Sequence, residues 1–171
     1  MGLKTFQLYD RWSALIGQAE RDTIVEAIAP TWLPVELAVA HYEACDRLEI
    51  DDTQMLTIGE AVGKRLQGTL LSTAGKLARN VGVTPDIAAR CFAPLLPRIF
   101  QGGSLQLEQT GPKDLVLEFR QTVLTRCRYF RGTLLGNVKS AAVLLGVSTP
   151  YVKLAQYDAA KDRTVIHMSY V

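Results

Sequence analysis

The feature that most constrains this chain is a change of period at Gly102-Gly103. Before it, apolar residues recur at three- and four-residue spacing, the pattern of helices with one buried face. After it, Leu105 and Leu107 alternate with Gln106 and Glu108. A turn at Thr110-Gly111-Pro112 follows, and then Leu115, Leu117 and Phe119 alternate with Val116, Glu118 and Arg120. Period two on both sides of a Gly-Pro turn predicts a β-hairpin. A second hairpin is expected at the C-terminal end. Its first strand holds Tyr151, Val152, Leu154 and Tyr157, its loop is Asp158–Asp162, and its last strand runs from Val165 to Tyr170. Between the hairpins, Leu134, Leu135, Val138, Ala142 and Leu145 mark a helix over about 130–145, with Gly146 as its C′ glycine. One hairpin is marginal alone, whereas two make a four-stranded antiparallel sheet with a face that needs cover. The N-terminal helices supply that cover. The expectation is a single α+β domain over residues 1–171, a helical half packed on the sheet formed by hairpin, helix and hairpin.

The helical half reads in segments. Phe6, Tyr9, Trp12, Leu15 and Ile16 predict a helix over about 5–16. A second is expected over about 21–29, ended by Pro30. Trp32-Leu33-Pro34 opens a third, whose stripe is Leu37, Ala40, Ala44 and Leu48. Asp51 and Asp52 cap a long helix over about 53–80. That helix carries Gly59, Gly63, Gly68 and Gly75. Each costs roughly 1 kcal/mol against Ala in a helix interior, so close approach to another element, or a break near Gly68, is expected. Thr84-Pro85 opens a further helix reaching about Phe100.

Charge and composition remove several functional classes. The 171 residues carry 19 Lys and Arg against 17 Asp and Glu, a net charge of +2, which makes no electrostatic case for nucleic acid. No apolar run reaches the length of a transmembrane helix, and the first ten residues lack the apolar core of a signal peptide. Cys45, Cys91 and Cys127 are odd in number and widely spaced, which fits neither a disulfide framework nor a zinc site and points to the reducing cytoplasm. Dinucleotide, P-loop, nucleophile-elbow and zincin motifs are all missing.

Few residues offer chemistry. His41 falls on a helix and His167 on the last strand, neither in a ligand-spaced cluster. Cys127 lies between Arg126 and Arg128, cations that lower a thiol pKa where the thiol is exposed. Asp46, Glu49, Asp51 and Asp52 form an acidic run for which helix capping is sufficient explanation. Arg126, Arg128 and Arg131, around Tyr129 and Phe130, are the candidate anion contacts.

Four stretches from residue 30 onward resemble a family of uncharacterised domains expanded in myxobacteria. They are Trp32 to Leu48, Ile58 to Arg65 with Thr73-Ala74-Gly75, Leu95 to Gly103, and Tyr129 to Gly136. The element order is also similar to a superfamily that includes the heme nitric-oxide/oxygen sensor domains, the vinyl-four-reductase domains and the TRAPP vesicle-tethering subunits. The resemblance implies a helical half and a sheet enclosing an apolar pocket, used for small ligands, heme or acyl chains, or a dimeric adaptor. The heme branch carries a Tyr-x-Ser-x-Arg motif that is missing here, so no cofactor is expected. The vinyl-four-reductase branch places cysteines near the final helix and hairpin, and residues 132–171 hold none. The TRAPP-like branch implies an acyl chain on a tunnel cysteine, for which Cys45 and Cys91 lie on suitable helices.

The expected function is that of a non-enzymatic, cytoplasmic sensory or regulatory module, binding a small apolar or acyl ligand in an internal pocket. Tyr42, Cys45, Leu66, Phe92 and Phe119 are the expected lining; no catalytic and no metal-binding residue is assigned. The alternative is a ligand-free homodimeric adaptor, which an exposed apolar stripe around Trp12 and Trp32 would favour.

Overall fold

A computed structural model describes residues 2–27, 32–66 and 102–171. Five described helices come first: α1 (Gly2–Thr5), α2 (Tyr9–Leu15), α3 (Gln18–Glu26), α4 (Val35–Asp46) and α5 (Asp52–Leu66). Strands β1 (Ser104–Gly111) and β2 (Asp114–Arg120) follow, then a 3-10 turn at Val123–Arg126 and helix α6 (Arg128–Leu144). Strands β3 (Pro150–Asp158) and β4 (Arg163–Tyr170) close the order. The class is α+β, with helices leading and a hairpin–helix–hairpin after them, as the change of period requires. The expected break near Gly68, Gly75, the helix opened at Thr84-Pro85, Cys91 and Phe92 lie outside the described residues.

Local chemistry sets the element ends. The expected helix over 5–16 is in fact two. Gln7 takes a left-handed φ of 57°. Its N–H donates to the Lys4 carbonyl at 3.1 Å, and the Leu8 N–H donates to the Leu3 carbonyl at 2.8 Å. That bond pair is a Schellman ending, and it lets Leu3 and Leu8 both turn inward. At the start of α5, Asp51 Oδ1 accepts from the Gln54 N–H at 2.8 Å and Gln54 Oε1 accepts from the Asp51 N–H at 3.4 Å, a reciprocal capping box. Gly146 ends α6 at φ 98°; its N–H donates to the Val143 carbonyl, and that of Val147 to Ala142, both at 3.0 Å.

The sheet is antiparallel throughout, in the order β1-β2-β4-β3. Register puts Leu107 opposite Leu117, Leu117 opposite Ile166, and Val152 opposite Met168. The inner face of Leu115, Leu117, Phe119, Ile166 and Met168 packs against Leu134, Leu135, Val138 and Ala142 of α6. Glu118, Arg120, Arg163 and His167 alternate with these residues and stand on the outer face.

The other side of α6 meets α5 along a seam of small residues. A Cβ on Gly136 would stand 2.5 Å from the Glu60 nitrogen and 2.8 Å from the Gly59 carbonyl carbon, and one on Gly63 would stand 2.5 Å from Ser140 Cβ. The backbones are therefore in direct contact, which accounts for glycine at 59, 63 and 136. Ser140 Oγ donates to the Glu60 carbonyl at 3.0 Å, and Lys139 Nζ pairs with Glu60 Oε1 at 2.7 Å.

Candidate functional site

The helical half meets the start of α6 in a cluster of rings. On α4, His41 and Cys45 stand one turn apart on a shared face, with Tyr42 beside them. Trp12 comes from α2, and Tyr129 and Phe130 come from the first turn of α6. The His41 ring centroid lies 5.5 Å from Trp12, 5.0 Å from Tyr42 and 6.4 Å from Tyr129, each edge-on. Tyr42 continues the contact to Phe130 at 5.0 Å. Edge-to-face rings at these separations attract beyond the area they bury.

Polar atoms inside this cluster are few. His41 Nε2 lies 3.9 Å from Cys45 Sγ. His41 Nδ1 and Trp12 Nε1 are buried without a hydrogen-bond partner among the described residues. Burial holds the His41 pKa down at about 4, so the imidazole is neutral near pH 7. Burial pushes Tyr42 and Cys45 up to about 12 and Cys127 up to about 11; it also raises Tyr129. The result is a buried, uncharged site. Its thiols are protonated and its imidazole faces no carboxylate among the described residues, so it is built for apolar contact.

One carboxylate fixes the geometry. Asp46, at the end of α4, accepts from the Arg128 N–H at 3.0 Å and from the Tyr129 N–H at 2.6 Å, one oxygen each. These are open donors of the first turn of α6, and a negative charge is favourable there. The contact sets Tyr129 and Phe130 against α4. Asp46 was visible in the sequence only as part of an acidic run, because a cap supplied from 82 residues away leaves no local signal.

The structure brings Tyr42 and Cys45 together, and the cluster also takes Trp12 and Tyr129, which were not expected to line a site. Phe119 is buried elsewhere, in the core between the sheet and α6. The side chain of Leu66, and Phe92, lie outside the described residues. Trp12 is 2% exposed, so it forms no surface stripe with Trp32, which is 54% exposed. Cys127 is buried, so the condition for a lowered thiol pKa is not met, and burial raises it instead.

The three candidate anion-binding arginines are engaged within the chain. Arg126 makes a two-pronged pair with Asp162, 2.8 Å on each side. Arg128 donates to the Ile50 carbonyl at 3.0 Å and to Asp52 at 2.6 Å. Arg131 donates to the Thr125 and Arg126 carbonyls and lies 3.9 Å over the Tyr157 ring. His167 Nε2 lies 3.5 Å from Asp114 on the outer sheet face. Among the described residues, no group of His, Cys, Asp and Glu is placed to hold a metal ion.

His167 stands on the opposite side of the sheet from the core. No helix among the described residues is long and apolar enough to cross a membrane.

No protein-family model matches the chain, and no curated protein matches it. Solved structures do. An Fe(II) unliganded H-NOX protein mutant from K. algicida aligns over 99% of this chain and 96% of its own, at TM-score 0.58 and 9% identity. An oxygen-binding H-NOX domain related to soluble guanylate cyclases aligns over 99% and 89%, at TM-score 0.62 and 10% identity. A trafficking protein particle complex subunit 3 from Naegleria fowleri, covalently bound to palmitic acid, aligns over 80% and 94%, at TM-score 0.57 and 13% identity. These likenesses establish the fold relationship that the element order implies.

Proposed function

We propose that this chain is a non-enzymatic sensory or regulatory module that binds a small apolar ligand, of the acyl-chain kind, inside its helical half. The observation that carries the reading is the pair of buried, unpartnered ring nitrogens, Trp12 Nε1 and His41 Nδ1, within an otherwise apolar cluster. A buried polar atom left unsatisfied costs about 1–3 kcal/mol. A ligand with an apolar body and a single polar end group would relieve that cost and be oriented by it. The fold shared with a palmitate-carrying subunit supports the same ligand chemistry. Tyr42 and Cys45 are the lining residues we assign; the protonated Cys45 thiol acts there as a small apolar group.

Native mass spectrometry on protein purified without denaturation tests this reading. A reproducible non-covalent adduct is the expected result, with palmitate taken up by adduct-free protein and the fluorescence of Trp12 changed in a Trp32→Phe background. Bare protein that takes up no palmitate overturns it. The half-exposed Trp32, beside the exposed Val35 at the start of α4, favours a second reading as a ligand-free homodimeric adaptor. A bare dimer in the same spectrum, lost in Trp32→Ala, is its signature.

A further inference from the structure

On the outer face of the sheet, the two hairpins form an open cleft of about 600 Å³. Ser104, Gln106, Arg120, Gln121, Lys161 and Arg163 line it. Three are cations, three offer hydroxyl or amide groups, and none is acidic. Register explains the convergence: Ser104 is opposite Arg120, Arg120 is opposite Arg163, and Arg163 is opposite Asp158, a single row across four strands. Like charges directly opposite each other repel, so this row calls for an explanation.

Glu118 supplies half of it. One oxygen, Oε1, accepts from Arg120 Nε at 2.8 Å and also from Arg163 Nε. A single carboxylate therefore clamps both guanidinium groups by their inner nitrogens. Among the described residues the two terminal nitrogens of Arg120 have no hydrogen-bond partner, while Arg163 Nη1 donates to Gln156 at 3.1 Å. Lys161 is 76% exposed and pairs loosely with Asp158 through Oδ2 at 3.9 Å, while Asp158 Oδ1 accepts from two backbone N–H groups. The Arg126–Asp162 pair holds the connecting loop beside them. Two carboxylates, Glu118 and Asp158, against Arg120, Lys161 and Arg163 leave one positive charge in excess, with the donor geometry of the two arginines fixed by Glu118.

We infer that this cleft binds a phosphate group, the terminal group of a phosphorylated small molecule. A phosphate monoester carries about −1.5 to −2 charge at neutral pH and three strong acceptor oxygens. Arg120 and Lys161 provide the charge, Arg163 is held in place by Glu118, and Ser104, Gln106 and Gln121 provide neutral donors around the oxyanion. Guanidinium groups are suited to such oxygens because their N–H groups diverge in a planar fork. The volume exceeds what a bare phosphate fills, which leaves room for the body of the ligand.

The test is calorimetric titration of the full chain with inorganic pyrophosphate, paired with sedimentation on phosphatidylcholine vesicles with and without phosphatidic acid. Saturable pyrophosphate binding is expected, weakened about tenfold or more in Arg120→Gln and in Lys161→Gln. Lys153→Gln, an exposed lysine on β3 away from the cleft, should bind as the parent does. Equal thermal midpoints for parent and variants show that the fold is intact; any variant that fails this is replaced by Gln121→Ala. Binding to phosphatidic acid vesicles, lost in the same two variants, would support the phosphate site with a lipid headgroup as its source. No saturable binding in either arm, or binding that the cleft variants leave unchanged, overturns the inference.

Discussion

A histidine ringed by three aromatic side chains makes the fold answer to pH whether or not it ever meets a ligand. His41 titrates at about 4 in the folded chain and at its ordinary 6.5 when unfolded. Between those values the unfolded chain holds a proton that the native chain refuses. Stability is therefore full above pH 6.5, falls as the pH drops through the window, and levels off near pH 4. The slope approaches about 1.4 kcal/mol per pH unit from this one residue. Denaturant melts of the parent and of His41→Phe should diverge across that window, with the variant the flatter. A parallel pair of curves would mean that the ring is wetter than the cluster implies. Glu118 acts in a separate window: its carboxylate is held at about 2 by Arg120 and Arg163, so what it contributes is lost only as the pH falls from 4.5 toward 2. The thiols offer another check at this scale. Cys45 and Cys127 should resist iodoacetamide at about pH 8 in the native state and label fully in denaturant, read by peptide mass mapping, because only the thiolate reacts. Rapid native labelling of Cys127 would restore the nucleophile that its flanking arginines invite. The sequence shows those arginines; it does not show that the thiol between them is buried, and that is why the sign of the shift could not be read from neighbours alone.

Among the elements, α6 carries the most long-range information. Its N-terminus is capped by Asp46 from α4, and its middle touches the α5 backbone through Gly136. Asp46→Ala should lower stability by about 1–2 kcal/mol, since it opens two N–H donors and removes a charge from the helix end. Gly136→Ala should cost more, on the order of 2–4 kcal/mol, because the added methyl meets backbone rather than a movable side chain. Chemical denaturation ranks the two, and a neutral Gly136→Ala would mean that α5 and α6 are further apart than described. Much of this layer was legible. The period change at Gly102-Gly103 located the first hairpin and the pattern around Asp158–Asp162 the second, Gly146 ended α6, and Asp51 opened α5, because each signal acts within a few residues of itself. Gly59 and Gly63 announced close packing but not against what: glycine tells how near a neighbour comes, and only the fold tells which neighbour. The split of the first helix at Gln7 was hidden, since a non-glycine residue in the left-handed region leaves no compositional mark.

At the scale of the molecule, α6 is where the two halves are joined. Tyr129 belongs to the core of α1, α2, α4 and α5, while Leu134, Leu135, Val138 and Ala142 belong to the core under the sheet. Phe130 packs on α4 together with Leu124 and Cys127. Among the described residues, a helix shared in this way gives the two cores a common element, which argues that the chain unfolds as one cooperative unit. The candidate site depends on the same arrangement. Its rings come from α2, α4 and α6, three elements that no local pattern connects, so the sequence pointed to Tyr42 and Cys45 but not to the Trp12 and Tyr129 beside them. The two tryptophans allow the coupling to be measured. In a Trp32→Phe background, fluorescence reports on Trp12, which is deep in the helical core. Ile166→Ala removes side-chain volume from the centre of the sheet, where Ile166 is 0% exposed, at an expected cost of about 2–4 kcal/mol. If the halves are one unit, the Trp12 transition moves to lower denaturant by the same amount as the far-ultraviolet circular dichroism transition, and the two remain coincident. If the Trp12 transition stays where it was while the dichroism splits in two, the helical half folds by itself, and a ligand bound among its rings could not be felt at the sheet.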